Sequence, residues 1–218
     1  MVDINGEGGA DVAYEPKMAA ALSGATLPQL RYWRETRALL PEVSSRRPVL
    51  YSFRDIIALR TFAFLREERS LQAIRRALRT LEEIGETDHL SSYRLVKQGR
   101  KSIALVRDDG AVDLVEQPGQ ELTVVKLGDV LRAFPLGDVE VPPLLHPRRQ
   151  ISVDPAIRGG HPVVAGTRVP FDLVANLVRD GVPPREVSKF YPSVTAAAAR
   201  DAADFADYVD RSARRRVG

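Results

Sequence analysis

Apolar positions recur at threes and fours over much of the first 85 residues, which predicts helices there. KMAAALSG reads as a short helix ending at Gly24, and TLPQLRYWRETRALL follows after a Ser-Gly-Ala turn, with Pro28 where a first helical turn tolerates it. Two short helices joined in this way have the form of a helix-turn-helix. PEVSSRRPVLYS is rich in turn residues and holds the β-prone run Val49-Leu50-Tyr51, enough for a small wing. Ser52 with Asp55 three residues on is a capping-box pattern, so a helix is predicted from Phe53 to about Arg66, with Ile56, Leu59 and Ala63 on one face. Ser70 then caps a helix in which Leu71, Ile74, Leu78, Leu81 and Ile84 recur, and Gly85 stops it.

The pattern changes over 92–134. SYRLVKQ, SIALVRD and AVDLVEQ are β-branched runs separated by Gly99 and by Asp-Asp-Gly at 108–110, a hairpin signal because Asp-Gly accepts the positive φ of a primed turn. A three-stranded antiparallel meander is predicted, with ELTVVK as a candidate fourth strand and LGDVLRAF as a closing helix. Pro135, Pro142, Pro143 and Pro147 exclude a helix interior, so 135–150 reads as an extended linker. Beyond it, Pro170 opens a helix with Phe171, Val174, Leu177 and Val178 inward. VPPREVSKFYP is a second, and SVTAAAARDAADFADYVDR a third with Ala198, Ala202, Phe205, Ala206 and Val209 on one face. A core of about 60 residues is marginal alone, so this part is expected to dock on something. The predicted class is α+β, mostly helical: a winged helix-turn-helix, a small β-meander and a trihelical C-terminal domain. The divisions are a flexible N-terminus (1–16), the helix-turn-helix region (17–85), a β-rich segment (86–134), the linker (135–150), the trihelical domain (151–210) and a basic tail (211–218).

Composition removes several classes. The 218 residues include no cysteine, which excludes disulfides and thiolate metal sites. The three histidines, His89, His146 and His161, lack ligand spacing, so no metal and no cofactor is expected. The start is acidic and glycine-rich, unlike a signal peptide, and no run approaches about 18 apolar residues, so a cytoplasmic protein without a membrane partner is expected. No triad or carboxylate pair stands out, and no enzyme is expected. The net charge of +3 is a weak argument for nucleic acid. The positions of the arginines say more, because a local basic stripe attracts phosphate whatever the total. They gather at Arg31, Arg34 and Arg37, at Arg46 and Arg47, at Arg75, Arg76 and Arg79, and at Arg211, Arg214, Arg215 and Arg216.

In the helix from Thr26, Leu27, Leu30 and Trp33 share one arc, while Gln29, Tyr32 and Thr36 look away and Arg31 lies at the boundary. An outward polar set can meet phosphates and base edges in a major groove, or can simply be solvated. LSGATLPQLRYWRETRALLP and VLYSFRDIIALRTFAFLREERSLQAIRRAL together resemble the MerR-like winged helix-turn-helix over about 17–82. The resemblance implies a DNA-binding set of Thr26, Gln29, Arg31, Tyr32, Arg34, Arg46, Arg47 and Tyr51, with Arg31 and Tyr32 on phosphates and the last three on or beside the wing. Ala38 stands where that family usually has a glycine. The chain then leads into strands and a different domain, not the long dimerisation helix of MerR-type activators.

DPAIRGGHPVVAGTRVPFDLVANLVRDGVPPREVSKFYPSVT resembles a small antitoxin domain, long of unknown function, found beside PIN-like ribonuclease toxins. Its Gly-Gly-x-Pro-Val, Gly-Thr-Arg-Val-Pro and Tyr-Pro elements occur in order over about 151–208. The resemblance implies a VapB-type antitoxin of actinobacterial architecture. Its partners are a VapC-like PIN ribonuclease toxin and operator double-stranded DNA, bound as a homodimer at half-sites about one helical turn apart. The residues it singles out for toxin binding or dimerisation are Gly160, Pro162, Gly166, Thr167 and Arg168. Arg214 and Arg215 in the tail join them on charge alone: arginines there can offset a helix dipole, or reach the acidic pocket of a toxin. Two rivals stay open: a stand-alone regulator whose C-terminal domain dimerises or takes an effector, and a toxin binder whose trihelical domain is the part that touches DNA.

Overall fold

A computed structural model describes residues 13–68, 94–98, 102–107, 110–113, 122–123 and 130–215, with side chains for 13–64 and 130–215. The fold is α+β and largely helical. Helix α1 (Pro16–Ser23) has its proline in the first turn and ends at Gly24, whose φ of +82° is the left-handed stop that glycine supplies without penalty. Helix α2 (Leu27–Glu35) follows, burying Leu30 and Trp33. Helix α3 (Phe53–Glu68) begins at the predicted capping box, where Asp55 N donates to Ser52 Oγ at 2.9 Å and Ser52 N donates to Asp55 Oδ2 at 2.8 Å. The same Oδ2 also accepts from Glu42 N at 2.9 Å, tying the loop after α2 to the start of α3. Trp33 stacks on Phe62 at 5.3 Å, joining the two helices through their apolar stripes. The helix expected from Ser70 lies outside the described residues.

Strands β1 (Arg94–Gln98), β2 (Ser102–Arg107), β3 (Gly110–Asp113) and β4 (Leu122–Thr123) form an antiparallel sheet in the order β3-β2-β1-β4. This is the meander expected from the β-branched runs, with the fourth strand returning beside the first. Of the closing helix, Val130 and Leu131 are described as helical. The proline-rich segment differs from an extended linker. Strands β5 (Phe134–Leu136) and β6 (Val139–Val141) pair as a hairpin, and Val141, Leu144 and Pro147 are buried. Proline excludes a helix but not a packed hairpin, because Pro135 lies on a short edge strand where its missing N–H leaves no interior ladder broken. Phe134 meets Phe64 edge-on at 5.3 Å, which seats the hairpin on α3.

In the C-terminal part, β7 (Ile151–Ser152) pairs with β8 (Val163–Val164), and helix α4 (Phe171–Arg179), a 3-10 turn (Pro184–Lys189) and helix α5 (Ala196–Arg214) follow. Thr195 Oγ1 accepts from Ala198 N at 3.1 Å and starts α5. The face expected for this helix, Ala198, Ala202, Phe205, Ala206 and Val209, is buried as a set.

This face packs on α1. One apolar cluster runs from Tyr14 through α1, α2 and α3 to α4 and α5. Tyr208 Oη donates to Ala21 O at 3.2 Å, Tyr14 Oη donates to Gly160 O at 2.8 Å, and Lys17 pairs with Asp210 across the same seam. Hydrogen bonds from Lys17, and then from Arg179 at 2.8 Å, hold the Asp210 carboxyl below its ordinary 3.8. A carboxyl depressed in the fold contributes stability above its unfolded pKa and loses it as pH falls through the lower folded value. Stability is therefore expected to decline as pH drops below about 4. Asp210→Asn should flatten that part of a melting-temperature profile, and an unaltered profile would exclude the carboxylate as a seam contact.

Candidate nucleic-acid interface

The turn between α1 and α2 is fixed by side chains that close on themselves. Thr26 Oγ1 accepts from Gln29 N at 3.3 Å while Gln29 Oε1 accepts from Thr26 N at 2.7 Å. Thr26 is buried, so two residues expected to face DNA instead cap α2 and set the angle at which it leaves the turn. Arg31 and Tyr32 are exposed one turn further on, and Arg34 is half-buried on the same helix. The left-handed residue after α2 is Arg37, at φ +57°, one position before Ala38.

The wing is a short loop closed by one antiparallel bridge. Ser44 N donates to Leu50 O at 3.0 Å and Leu50 N returns to Ser44 O at 2.9 Å, leaving Arg46 and Arg47 exposed between them. Tyr51 anchors its base. Its backbone exchanges hydrogen bonds with Tyr14 at 2.8 and 2.9 Å, and its ring is buried. Burial pushes the Tyr51 phenol up to about 12, against a lowering from Arg34 and with a smaller rise from Asp55, so it is neutral at physiological pH.

Between helix and wing lies a depression of about 250 Å³ lined by Arg31, Arg34, Arg47 and the Tyr51 ring, with apolar walls from α2 and the loop. No carboxylate lines it. Among the described residues, Arg31, Arg34 and Arg47 form no ion pair, whereas Arg148 and Arg179 in the C-terminal part are each paired with aspartate. Guanidinium groups with open forks around an apolar floor suit phosphate oxygens. Four of the eight expected DNA-binding residues thus meet at one place, and Arg46 and Tyr32 are exposed beside it in sequence.

The second expected set divides. Gly160 and Pro162 are buried; Gly160 O accepts from Tyr14, and Pro162 O accepts from Phe171 N at 3.1 Å. Thr167 Oγ1 donates to Val164 O at 2.8 Å and accepts from Val169 N at 3.0 Å, shaping a turn in which Gly166 takes φ +74° and Arg168 is exposed. Helix α5 extends through Arg214, which is exposed. Arg215 instead reaches Gly24 O in the helix-turn-helix turn. Its burial lowers its pKa. His146 is exposed, His161 pairs with Asp172 at 3.1 Å, and His89 lies outside the described residues.

Residues 14–81 match the family model described as MerR HTH family regulatory protein. The N-terminal region is a MerR-family helix-turn-helix domain. Behind this MerR-type domain, residues 151–206 match the model described as protein of unknown function (DUF433). The chain is similar in fold to the X-ray crystal structure of Rv2018 from Mycobacterium tuberculosis. That likeness has 17% sequence identity and a TM-score of 0.51, over 89% of this chain and 98% of that one. No curated protein matches the chain. The MerR-type domain points to a DNA-binding regulator. No helix among the described residues is long and apolar enough to cross a membrane.

Sequence reasoning missed Arg60. It is fully buried in α3, donating from Nε to Val130 O at 2.7 Å and from Nη2 to Arg132 O at 2.8 Å and Pro142 O at 3.0 Å, with Nη1 on Leu22 O. Its guanidinium lies 5.0 Å from the centre of the Phe134 ring. Burial lowers its pKa to about 10, which leaves it a cation at neutral pH. The only signal was a lone arginine inside the apolar run IIALRTF.

Proposed function

We propose that this DNA-binding regulator is the antitoxin of a type II toxin–antitoxin system. In this reading the MerR-type region (17–85) binds operator DNA as a homodimer, and the DUF433 region (151–210) binds and neutralises a PIN-like ribonuclease toxin, so that the pair represses its own promoter. The observation that carries the DNA half is the carboxylate-free depression of Arg31, Arg34 and Arg47 between α2 and the wing. The toxin half is supported by the Gly-Gly-x-Pro-Val and Gly-Thr-Arg-Val-Pro elements in their order.

Co-expression with the adjacent reading frame tests the toxin half: co-purification and rescue of growth are expected, and failure of both against a toxic neighbour sinks it. For the DNA half, Arg31→Ala and Tyr32→Ala should each weaken retardation of promoter DNA about tenfold. Arg31→Ala should also lower the salt slope by about 1. Unchanged retardation by both variants refutes the assignment.

A stand-alone regulator with an effector is the second reading, and one observation favours it. A cleft of about 440 Å³ opens along the seam, lined from α1 by Lys17 and Met18 and from α4 by Asp172, Asn176 and Arg179. A neighbouring gene for an enzyme or transporter, in place of a ribonuclease, would decide for this reading.

A further inference from the structure

Helix α2 ends at Glu35 with Thr36 as its cap, and the chain reverses at once, because Leu39 N returns to Trp33 O at 3.2 Å and Leu39 is buried in the core. That reversal requires a left-handed residue, and φ is +57° at Arg37. Glycine takes this conformation without strain and asparagine with little, whereas a long side chain is held there against its preference. The Arg37 side chain gains nothing from the fold in return: it is exposed, and no carboxylate pairs with it among the described residues. Backbone strain of this kind, kept at a surface position, accumulates where a side chain is needed for contact with something else. Arg37 is tied to the helix that carries Arg31 and Arg34, because its N–H donates to Arg34 O at 3.1 Å. It therefore stands just past the C-terminal end of that helix.

Resting on the DNA-binding reading of α2 and the wing, we propose that Arg37 anchors a backbone phosphate of the duplex at the end of the recognition helix. The contact is to a phosphate and not to a base: it sets where the helix ends along the strand and is indifferent to sequence. Arg158 supplies the matching control. It too is an exposed arginine at positive φ, +46°, but it lies in the DUF433 region.

The experiment measures fluorescence anisotropy of a labelled duplex from the promoter upstream of the chain's own reading frame, over a series of salt concentrations. The full chain and the variants Arg37→Gly, Arg37→Lys, Arg158→Gly and Arg31→Ala are compared. Arg37→Gly should raise the melting temperature by about 2 °C by relieving strain. It should also weaken binding about five- to tenfold and lower the salt slope by about 0.9. Arg37→Lys should keep the slope, and Arg158→Gly should gain thermal stability with binding unchanged. An Arg37→Gly protein with the full slope overturns the proposal, as does an equal loss in Arg158→Gly. If Arg31→Ala lowers the slope and Arg37→Gly does not, this inference alone fails. If the full chain does not bind the duplex, the DNA-binding reading fails with it.

Discussion

Replacing Arg60 by methionine is expected to cost about 4 kcal/mol, because it strands the carbonyl oxygens of Leu22, Val130 and Pro142, which it meets in buried hydrogen bonds. Leu22 O belongs to the last turn of α1, Val130 O and Arg132 O to the segment before the hairpin, and Pro142 O to the segment after it. One planar group therefore ties together three pieces of chain that also meet through apolar contacts such as Phe134 on Phe64. Arginine suits this because its donors fan out in a plane and its charge rests partly on the Phe134 ring. Lysine offers its donors from a single nitrogen and should recover about half the loss. Urea unfolding and thermal melts provide the check, with a fall of about 10 °C expected for Arg60→Met. A change under about 1 kcal/mol would mean that the carbonyls find other donors, and the latch would have to be abandoned.

The second large effect is expected at Gly24. Its φ of +82° already disfavours a side chain, and a Cβ built there would meet Val141 Cγ2 at 2.5 Å and Leu136 Cδ2 at 3.1 Å. Gly24→Ala should therefore cost about 3 kcal/mol, combining left-handed strain with overpacking against the β5–β6 hairpin. Operator affinity should fall with it, since Gly24 sets how α2 leaves α1. Val141→Ala removes the opposing methyl groups. Made in the Gly24→Ala background it should cost about 1 kcal/mol less than in the wild type, a coupling that a double-mutant cycle reads directly. Additive costs would assign the whole effect of Gly24→Ala to its backbone.

Local rules made much of the fold legible. The Ser52–Asp55 box and the Gly24 stop of α1 are set by neighbours a few residues away. The same local rule, applied to Thr26 and Gln29, would have shown them capping each other, since Thr-Leu-Pro-Gln is a capping-box spacing with a glutamine in the third place. Reading Gln29 by helical phase alone turned it outward, and the family resemblance alone brought in Thr26. Tyr51 was expected on or beside the wing; its burial depends on Tyr14, 37 positions earlier, and no periodicity reports such a partner. Arg60 and the hairpin beneath it were illegible for the same reason. Their bonds span 38 to 82 residues, and only the assembled fold brings them together.

The meeting of α1 and α5 bears on the order in which the molecule can be made. The first helix of the DNA-reading unit leaves the ribosome early, yet Ala21 O and Gly24 O find their donors on Tyr208 and Arg215, and Lys17 finds its carboxylate on Asp210. A nascent chain halted before α5 therefore carries the sequence of a reader of DNA without the contacts that complete it. Completion of the last helix supplies the contacts that finish the first.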